Sequence, residues 1–171
     1  MKRVLFLLGH LSDIDVEWLI DHGHTMYLKA GDKLIEKDQE IDNLYIILSG
    51  ELSVVGPNQT HIADIGHREM VGEMSFLESH PPSVSVISSD ETTIFYISKE
   101  LIMGRLESNL EFKANFFYAI SLFLSNRLRK TTSQLGYGDP DEEDVINENV
   151  LDGVSQAGSR FTQILQKFSD V

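Results

Sequence analysis

The spacing of apolar residues changes twice along the chain. Residues 12–22 have the spacing of a short amphipathic helix, with Ser12 at the position of an N-cap. Residues 25–97 consist of short β-rich runs separated by turn signals, and helical spacing returns from residue 98 onward. This order predicts a mainly β protein of the α+β class, in which a short helix precedes the β-domain and further helices follow it.

The β-rich segment contains apolar runs that are typical of buried strands, such as LYIIL at residues 44–48 and TTIFYI at residues 92–97. Gly31, Gly50 and Gly66 fall between such runs, where the chain is expected to turn. Many short strands at this regular spacing are typical of a β-sandwich, a jelly roll or a small barrel.

After the strands, the pattern predicts a short helix over residues 98–108 and a long one over residues 110–135. Residues 116–124 are apolar at eight of nine positions, so the long helix should be buried on more than one side. Its main apolar stripe consists of Phe117, Ile120, Leu124, Leu128, Thr131 and Leu135. The spacing alone leaves two alternatives open, which are packing within the chain only and additional packing against a partner helix.

An acidic stretch, YGDPDEEDV at residues 137–145, is typical of a linker and separates a domain at residues 1–136 from a tail at residues 137–171. The tail predicts an amphipathic helix with Ser159 as a candidate N-cap. Its apolar side consists of Phe161, Ile164, Leu165 and Phe168. This helix either docks on its own domain or serves as a lid or a partner-binding element.

Composition narrows the possible functions. A net charge of −13 argues against DNA or RNA binding, which requires a basic surface. The chain has no cysteine, and its His22 and His24 pair lacks the following carboxylate of a cupin metal site, so we expect no metal. No pairing of nucleophile and base stands out, so we expect no enzyme. No apolar run has the length of a signal peptide or a membrane span, which favours a cytoplasmic location.

Three motifs in succession resemble the cyclic nucleotide-binding domain family, which includes the ligand modules of catabolite activator proteins, kinase regulatory subunits and gated channels. Residues 30–55 are similar to the start of its β-roll, residues 71–86 to its phosphate-binding cassette, and residues 95–109 to its closing helices. The resemblance covers about residues 5–135. It implies a jelly-roll-like β-roll of about eight strands, with a short N-terminal helix and two C-terminal helices, the last one long.

The resemblance assigns the ligand contacts to the cassette residues Gly72, Glu73, Met74, Ser75, Pro82 and Ser83. In such a cassette the glycine lets the backbone approach the ligand, the carboxylate accepts a ribose hydroxyl, and the amides of a helical turn face the phosphate. The family's arginine position is occupied by Pro82, which offers neither a charge nor an N–H group. Asp38 and Ile41 are further departures, because they stand at positions that are often glycine.

Without the arginine, binding of cAMP or cGMP is expected to be weak, altered or absent, since each lost charge-assisted hydrogen bond is worth about 1.5–3 kcal/mol. Ser83, His80 and Arg68 are the nearby groups that could partly compensate. The resemblance also implies base contacts from Thr131 and Thr132. It further implies a homodimer through the long helix, with the contact residues Phe117, Ile120, Leu124 and Leu128.

Two functions are therefore expected from the sequence. The first is a non-catalytic regulatory sensor that binds a cyclic nucleotide or another small anion and transmits the change to a protein partner. The second is a dimerisation or protein-interaction module that has the same fold and no ligand. Gly72, Glu73 and Ser83 favour the first function. Pro82, Asp38 and Ile41 favour the second.

Overall fold

The computed structural model describes residues 8–78, 80–134, 136 and 148–169, with the backbone alone described for residues 134, 148–157 and 169. The chain forms two compact units. Residues 17–108 form the first unit, and the chain on either side of them forms the second.

Eight antiparallel strands make up the β-roll of the first unit. They are β1 (His24–Leu28), β2 (Lys33–Ile35), β3 (Asn43–Ser49), β4 (Glu51–Val55), β5 (His61–Gly66), β6 (Met70–Val71), β7 (Ser85–Ser88) and β8 (Thr92–Ser98). They form two four-stranded sheets with the orders β1-β8-β3-β6 and β2-β7-β4-β5. The predicted fold class and the predicted number of strands are thus confirmed.

The core of the roll is a cluster of apolar side chains from both sheets. Ile47 and Ile94 come from β3 and β8 of one sheet, and Leu52 and Val86 come from β4 and β7 of the other. β-branched and leucine side chains fill such a half-buried pleated surface well, which is why these runs form strands. Tyr45 belongs to the same cluster and places an aromatic ring in the interior of the roll.

Helix α1 (Asp13–His22) has the cap that the sequence predicts. The hydroxyl oxygen of Ser12 accepts a hydrogen bond from the backbone N–H of Asp15 at 3.2 Å, and the Ser12 hydroxyl donates to the Asp15 carboxylate at 2.6 Å. The three apolar residues at helical spacing are buried, namely Val16, Leu19 and Ile20. Helical spacing in the sequence therefore identifies the buried side of this helix correctly.

Among the described residues after the roll there are three helices, α2 (Lys99–Ser108), α3 (Leu110–Gln134) and α4 (Glu148–Ser169). The side chain of Asn109 caps α3 by accepting a hydrogen bond from the backbone N–H of Phe112 at 2.9 Å. Ser159 lies inside α4, so the prediction that it caps this helix is wrong. In the described part of the chain, no helix combines the length and the apolar composition needed to cross a membrane.

The buried stripe of α3 differs from its predicted main stripe. Five residues of this helix are fully buried, namely Phe112, Phe116, Ala119, Ile120 and Phe123. Of the predicted contact residues, Ile120 is buried, Phe117 and Leu124 are half-buried, and Leu128 is 65% exposed. Because nearly every position from 116 to 124 is apolar, spacing alone does not distinguish two stripes that lie one residue apart.

Arg160 fixes α4 to the N-terminal segment within the second unit. Its guanidinium donates to the Asp13 carboxylate at 2.6 and 3.0 Å, to the carbonyl oxygen of Leu11 at 2.8 Å, and to that of Leu8. Phe161 and Ile164 follow Arg160 on the same helix and are buried, and Arg160 itself is only 7% exposed. A guanidinium has enough donors to satisfy several carbonyls at once, which explains why a charged residue occupies a buried position.

Asp38 adopts a left-handed backbone conformation with φ of 64°, at the position where the resemblance leads one to expect glycine. Such a conformation is unfavourable for residues with a Cβ. We therefore expect Asp38→Gly to raise the free energy of unfolding by about 0.5–1 kcal/mol in a urea titration. Asp42→Gly is the control, because φ at Asp42 is not positive. Glycine there adds backbone entropy to the unfolded chain and relieves no strain, so it should lower the free energy of unfolding. Equal effects of the two substitutions would contradict this account.

Candidate functional site

The cassette connects β6 to β7 on the first unit. Val71 of β6 pairs with Tyr45 of β3, so the start of the cassette is fixed by a sheet contact. The chain then passes through Gly72 into a single 3-10 turn, Glu73–Phe76. The site is therefore a short turn held at the edge of the roll.

Gly72 is required by the backbone itself. Its φ is +91°, and a Cβ added there would lie 2.6 Å from the carbonyl oxygen of Asn43 and 3.3 Å from the Ile41 side chain. Both the conformation and the space exclude a larger residue. This glycine thus has a structural role regardless of any ligand, which the sequence alone did not reveal.

We expect Gly72→Ala to lower the free energy of unfolding by at least about 2 kcal/mol, because strain and a backbone clash add together. Gly66→Ala is the matched control, since a Cβ at Gly66 meets nothing within 4 Å. That variant should stay within about 0.5 kcal/mol of the parent. Thermal or urea unfolding of both variants checks the difference, and a similar loss in each would refute the proposed clash.

Glu73 is the first residue of the 3-10 turn and is 1% exposed. Carboxylates are rarely buried to this degree. A carboxylate at this place, next to a glycine that brings the backbone close, has the chemistry needed to accept the hydroxyl of a ribose. Burial of Glu73 is the feature of the cassette that most resembles a ligand site.

The 3-10 turn uses several of its own donors internally. The backbone N–H and the hydroxyl of Ser75 both donate to the carbonyl oxygen of Gly72, at 3.3 and 2.7 Å. The backbone N–H groups of Leu77 and Glu78 both donate to the carbonyl oxygen of Met74 at 2.9 Å, and the Met74 side chain is half exposed. These donors are engaged within the turn, so fewer amides remain for a phosphate than a helical turn over residues 74–77 would supply.

Pro82 has a structural partner instead of a ligand group. Its carbonyl oxygen accepts a hydrogen bond from the backbone N–H of Asp38 at 2.9 Å, which ties the end of the cassette to the turn before β3. Its ring is half-buried, and Ser83 and His80 are exposed. Residue 82 therefore anchors the main chain through its carbonyl oxygen, and its side chain carries no charge.

Arg68, a candidate substitute for the missing cation, is engaged elsewhere. Its Nε donates to Nε2 of His67 at 3.1 Å, while Nδ1 of His67 lies 2.6 Å from the carbonyl oxygen of Leu48. These contacts are consistent with one tautomer, in which Nδ1 carries the proton and Nε2 accepts. The arginine side chain is thus directed to the turn between β5 and β6.

Two aromatic residues, Tyr45 and Tyr96, lie near the start of the cassette. An edge atom of the Tyr45 ring lies 3.6 Å from a Cβ built on Gly72, and the two tyrosine rings are 6.5 Å apart between centroids. Tyr45 is buried in the core of the roll, so its ring packs beside the backbone at Gly72. Their position in strands agrees with the sequence, because tyrosine is common in strands.

Thr131 and Thr132 lie on α3, which belongs to the second unit. The Thr131 hydroxyl donates to the carbonyl oxygen of Arg127 at 3.0 Å, and the Thr132 hydroxyl donates to that of Leu128 at 3.1 Å. Bonds of this kind to the preceding helical turn are common for threonine. Their role as base contacts stays a prediction. Among the described residues, no group of three or more potential ligands is placed to hold a metal ion.

A roll of two four-stranded sheets, with a glycine-led turn that buries a glutamate, defines the class of β-roll domains built around a phosphate-binding cassette. The sequence profile of the cyclic nucleotide-binding domain matches residues 25–109. Residues 25–109 therefore form a domain of the cyclic nucleotide-binding family.

Several solved structures are similar to this chain. A cyclic nucleotide-binding domain from Methylobacillus flagellatus has 21% identity and a TM-score of 0.70, over 81% of this chain and 85% of that one. The sensor domain of the transcriptional regulator DNR from Pseudomonas aeruginosa has 16% identity and a TM-score of 0.59, over 77% and 96%. These two similarities establish the shared fold.

A third similar structure is a variant of the regulatory subunit of a cAMP-independent protein kinase A from Trypanosoma brucei. It has 26% identity and a TM-score of 0.55, over 69% of this chain and 47% of that one. The variant carries three substitutions, one of them threonine to arginine, and is bound to cAMP in its A site.

Proposed function

We propose that this chain is a non-catalytic regulatory module whose cassette binds cyclic nucleotides weakly or not at all. The observation that carries the proposal is Pro82, whose carbonyl oxygen is bonded to the N–H of Asp38 and whose side chain has no charge. The buried Glu73 and the left-handed Gly72 are consistent with a site that retains the ribose half of the cassette. The phosphate half lacks its cation.

The charge around the cassette supports weak binding. A cyclic nucleotide is a monoanion, and this chain has a net charge of −13, so the protein as a whole repels it. Strong local donors would have to overcome this repulsion, and several amides of the 3-10 turn already have partners within the turn. The kinase regulatory subunit offers a parallel, because its cAMP-bound variant has an added arginine.

Calorimetric titration with cAMP and with cGMP tests the proposal. We expect dissociation constants of about 1 mM or weaker, since loss of one arginine contact costs at least about ten-fold in affinity. Thermal unfolding at 100 µM nucleotide should then move the melting temperature very little, because stabilisation depends on the ratio of ligand concentration to Kd. A micromolar Kd for either nucleotide would overturn the proposal and restore the sensor interpretation in full.

A second candidate function is a dimerisation or protein-interaction module without a ligand. The exposed apolar side chains of α3 favour it, since Leu128 is 65% and Tyr118 is 56% exposed. Phe117 and Leu124 are half-buried on the same helix, so part of their surface is available to a partner helix. We propose that a homodimer forms through this surface, with the buried Ile120 contributing to the core of the protomer instead.

A further inference from the structure

A cavity opens on the first unit beside the cassette. It has a volume of about 540 Å³ and lies between residues 40–42, the cassette turn and the first turn of α2. Pockets of about 300–1,000 Å³ are the size that binds small ligands or single side chains. The cavity is thus large enough for a specific contact.

Backbone hydrogen bonds hold the walls of this cavity. The N–H of Lys99 donates to the carbonyl oxygen of Asp42 at 2.8 Å, which joins the start of α2 to the segment before β3. The N–H of Glu78 donates to the carbonyl oxygen of Met74 at 2.9 Å and closes the cassette wall. These two bonds fix segments that line the cavity, and fixed segments lower the entropic cost of binding.

The rim of the cavity is strongly acidic. Its exposed carboxylates belong to Glu40, Asp42, Glu78 and Glu100. Lys99 is the one lysine or arginine among the described lining residues, and its Nζ lies 5.9 Å from the centroid of the Phe76 ring. Four carboxylates and one ammonium create a negative potential, so the cavity repels a nucleotide and attracts a cation.

The cation is expected to be an extended one. Among the described residues, the carboxylates are not grouped so that three of them could hold a metal ion. The cavity also has apolar lining from Ile41, Pro81 and Met103. Lysine and arginine side chains combine an apolar stem with a charged head, and this combination matches a cavity that has both apolar and acidic lining residues.

The surface beside the cavity favours a peptide over a free amine. Leu77 and Leu101 belong to the same two segments that form its walls, and they are 50% and 43% exposed. Exposed apolar side chains next to a charged pocket are typical of protein-binding surfaces. We propose that the cavity is a docking site for a basic segment of a partner protein, in which a lysine or arginine is flanked by apolar residues. This docking goes beyond the proposed function, because it does not require a nucleotide.

Fluorescence anisotropy of the full chain tests this inference. The probe is a short labelled peptide in which arginine and leucine alternate, and the matched peptide has glutamate for each arginine. We expect saturable binding of the basic peptide with Kd on the order of 10 µM, and no binding of the acidic one. Absence of saturable binding up to about 1 mM would overturn the proposal.

Substitutions at two glutamates of α2 distinguish docking in the cavity from general attraction of a basic peptide to an acidic protein. Glu100 lines the cavity, whereas Glu107 is exposed on the same helix and does not line it. Glu100→Lys should weaken peptide binding about ten-fold or more, and Glu107→Lys about two-fold at most, although both change the net charge equally. Met103→Ser should weaken binding about three-fold without any change of charge. Equal losses from the two charge reversals would refute a localised site.

Two further measurements would reveal a different occupant of the cavity. If spermidine displaces the peptide and binds more tightly than the peptide does, the cavity takes a small amine and the proposal fails. Light scattering of the parent and of Glu100→Lys provides the other control. If that substitution converts a dimer into a monomer, the occupant is a second copy of this chain, which also overturns docking of a partner protein.

Discussion

Replacing Pro82 with arginine is expected to raise the affinity for cAMP or cGMP by about ten- to a hundred-fold. A guanidinium can form a two-pronged contact with a phosphate, and each charge-assisted hydrogen bond is worth about 1.5–3 kcal/mol. The backbone hydrogen bond from the N–H of Asp38 uses the carbonyl oxygen of residue 82, which the substitution retains. The cassette should therefore keep its path while it gains a cation.

Calorimetric titration of the parent, Pro82→Arg and Pro82→Ala measures this effect. Pro82→Ala separates removal of the ring from addition of the charge, so it should bind nucleotide no better than the parent. Glu73→Gln in the arginine background should lose most of the gain, because the neutral amide is a weaker acceptor for a ribose hydroxyl. A folded arginine variant that gives no heat at 1 mM nucleotide would show that the shape of the cassette, and not only its charge, differs from a binding site.

The β-roll could be predicted from the sequence because its local signals agree with one another. Apolar runs such as residues 44–48 become the buried strand β3, and Gly50 lies in the turn that follows it. The cap at Ser12 and the helix after it are equally local, since a hydroxyl and an apolar stripe at the right spacing determine both. Where the local structural preference of each residue matches the fold, the spacing of apolar residues is sufficient to predict the element.

Features that depend on contacts between distant residues could not be predicted. Arg160 bonds to Asp13 and to two carbonyl groups about 150 residues earlier in the chain, and no local pattern indicates such a contact. Gly72 was selected as a ligand contact, yet its nearest constraint is the carbonyl oxygen of Asn43 in another strand. A motif shows which residue types are present, whereas their partners depend on the fold.

The ligand contacts of the cassette stay a prediction, whereas its backbone geometry differs in part from the expected one. Glu73 is buried and Pro82 is half-buried, and neither observation tests a ligand contact. The turn that follows was expected to direct amides at a phosphate, whereas the Ser75 amide and hydroxyl both bond to the preceding glycine. Hydrogen bonding within a turn of four residues depends on backbone angles that residue types do not reveal.

Phe116→Ala is expected to lower the free energy of unfolding by about 3–5 kcal/mol, whereas Phe117→Ala should cost about 1 kcal/mol. Phe116 is fully buried, so its removal leaves a cavity, while its neighbour is half-buried. Urea unfolding at low protein concentration measures this difference, because a dimer would dissociate there and would not add to the stability. The two substitutions delete the same atoms one residue apart, so burial is the variable that distinguishes them.

The same pair of variants tests the proposed dimer through α3. If Phe117 contributes to a partner helix contact, Phe117→Ala should weaken the dimer in light scattering at micromolar concentration, and Leu128→Asp should abolish it without loss of stability. Leu128 is 65% exposed, so an aspartate there leaves the protomer core intact. Equal unfolding losses for Phe116→Ala and Phe117→Ala would place both rings in the core. If the parent chain is already a monomer at this concentration, the proposed dimer is refuted. The exposed apolar residues of α3 then have no partner helix.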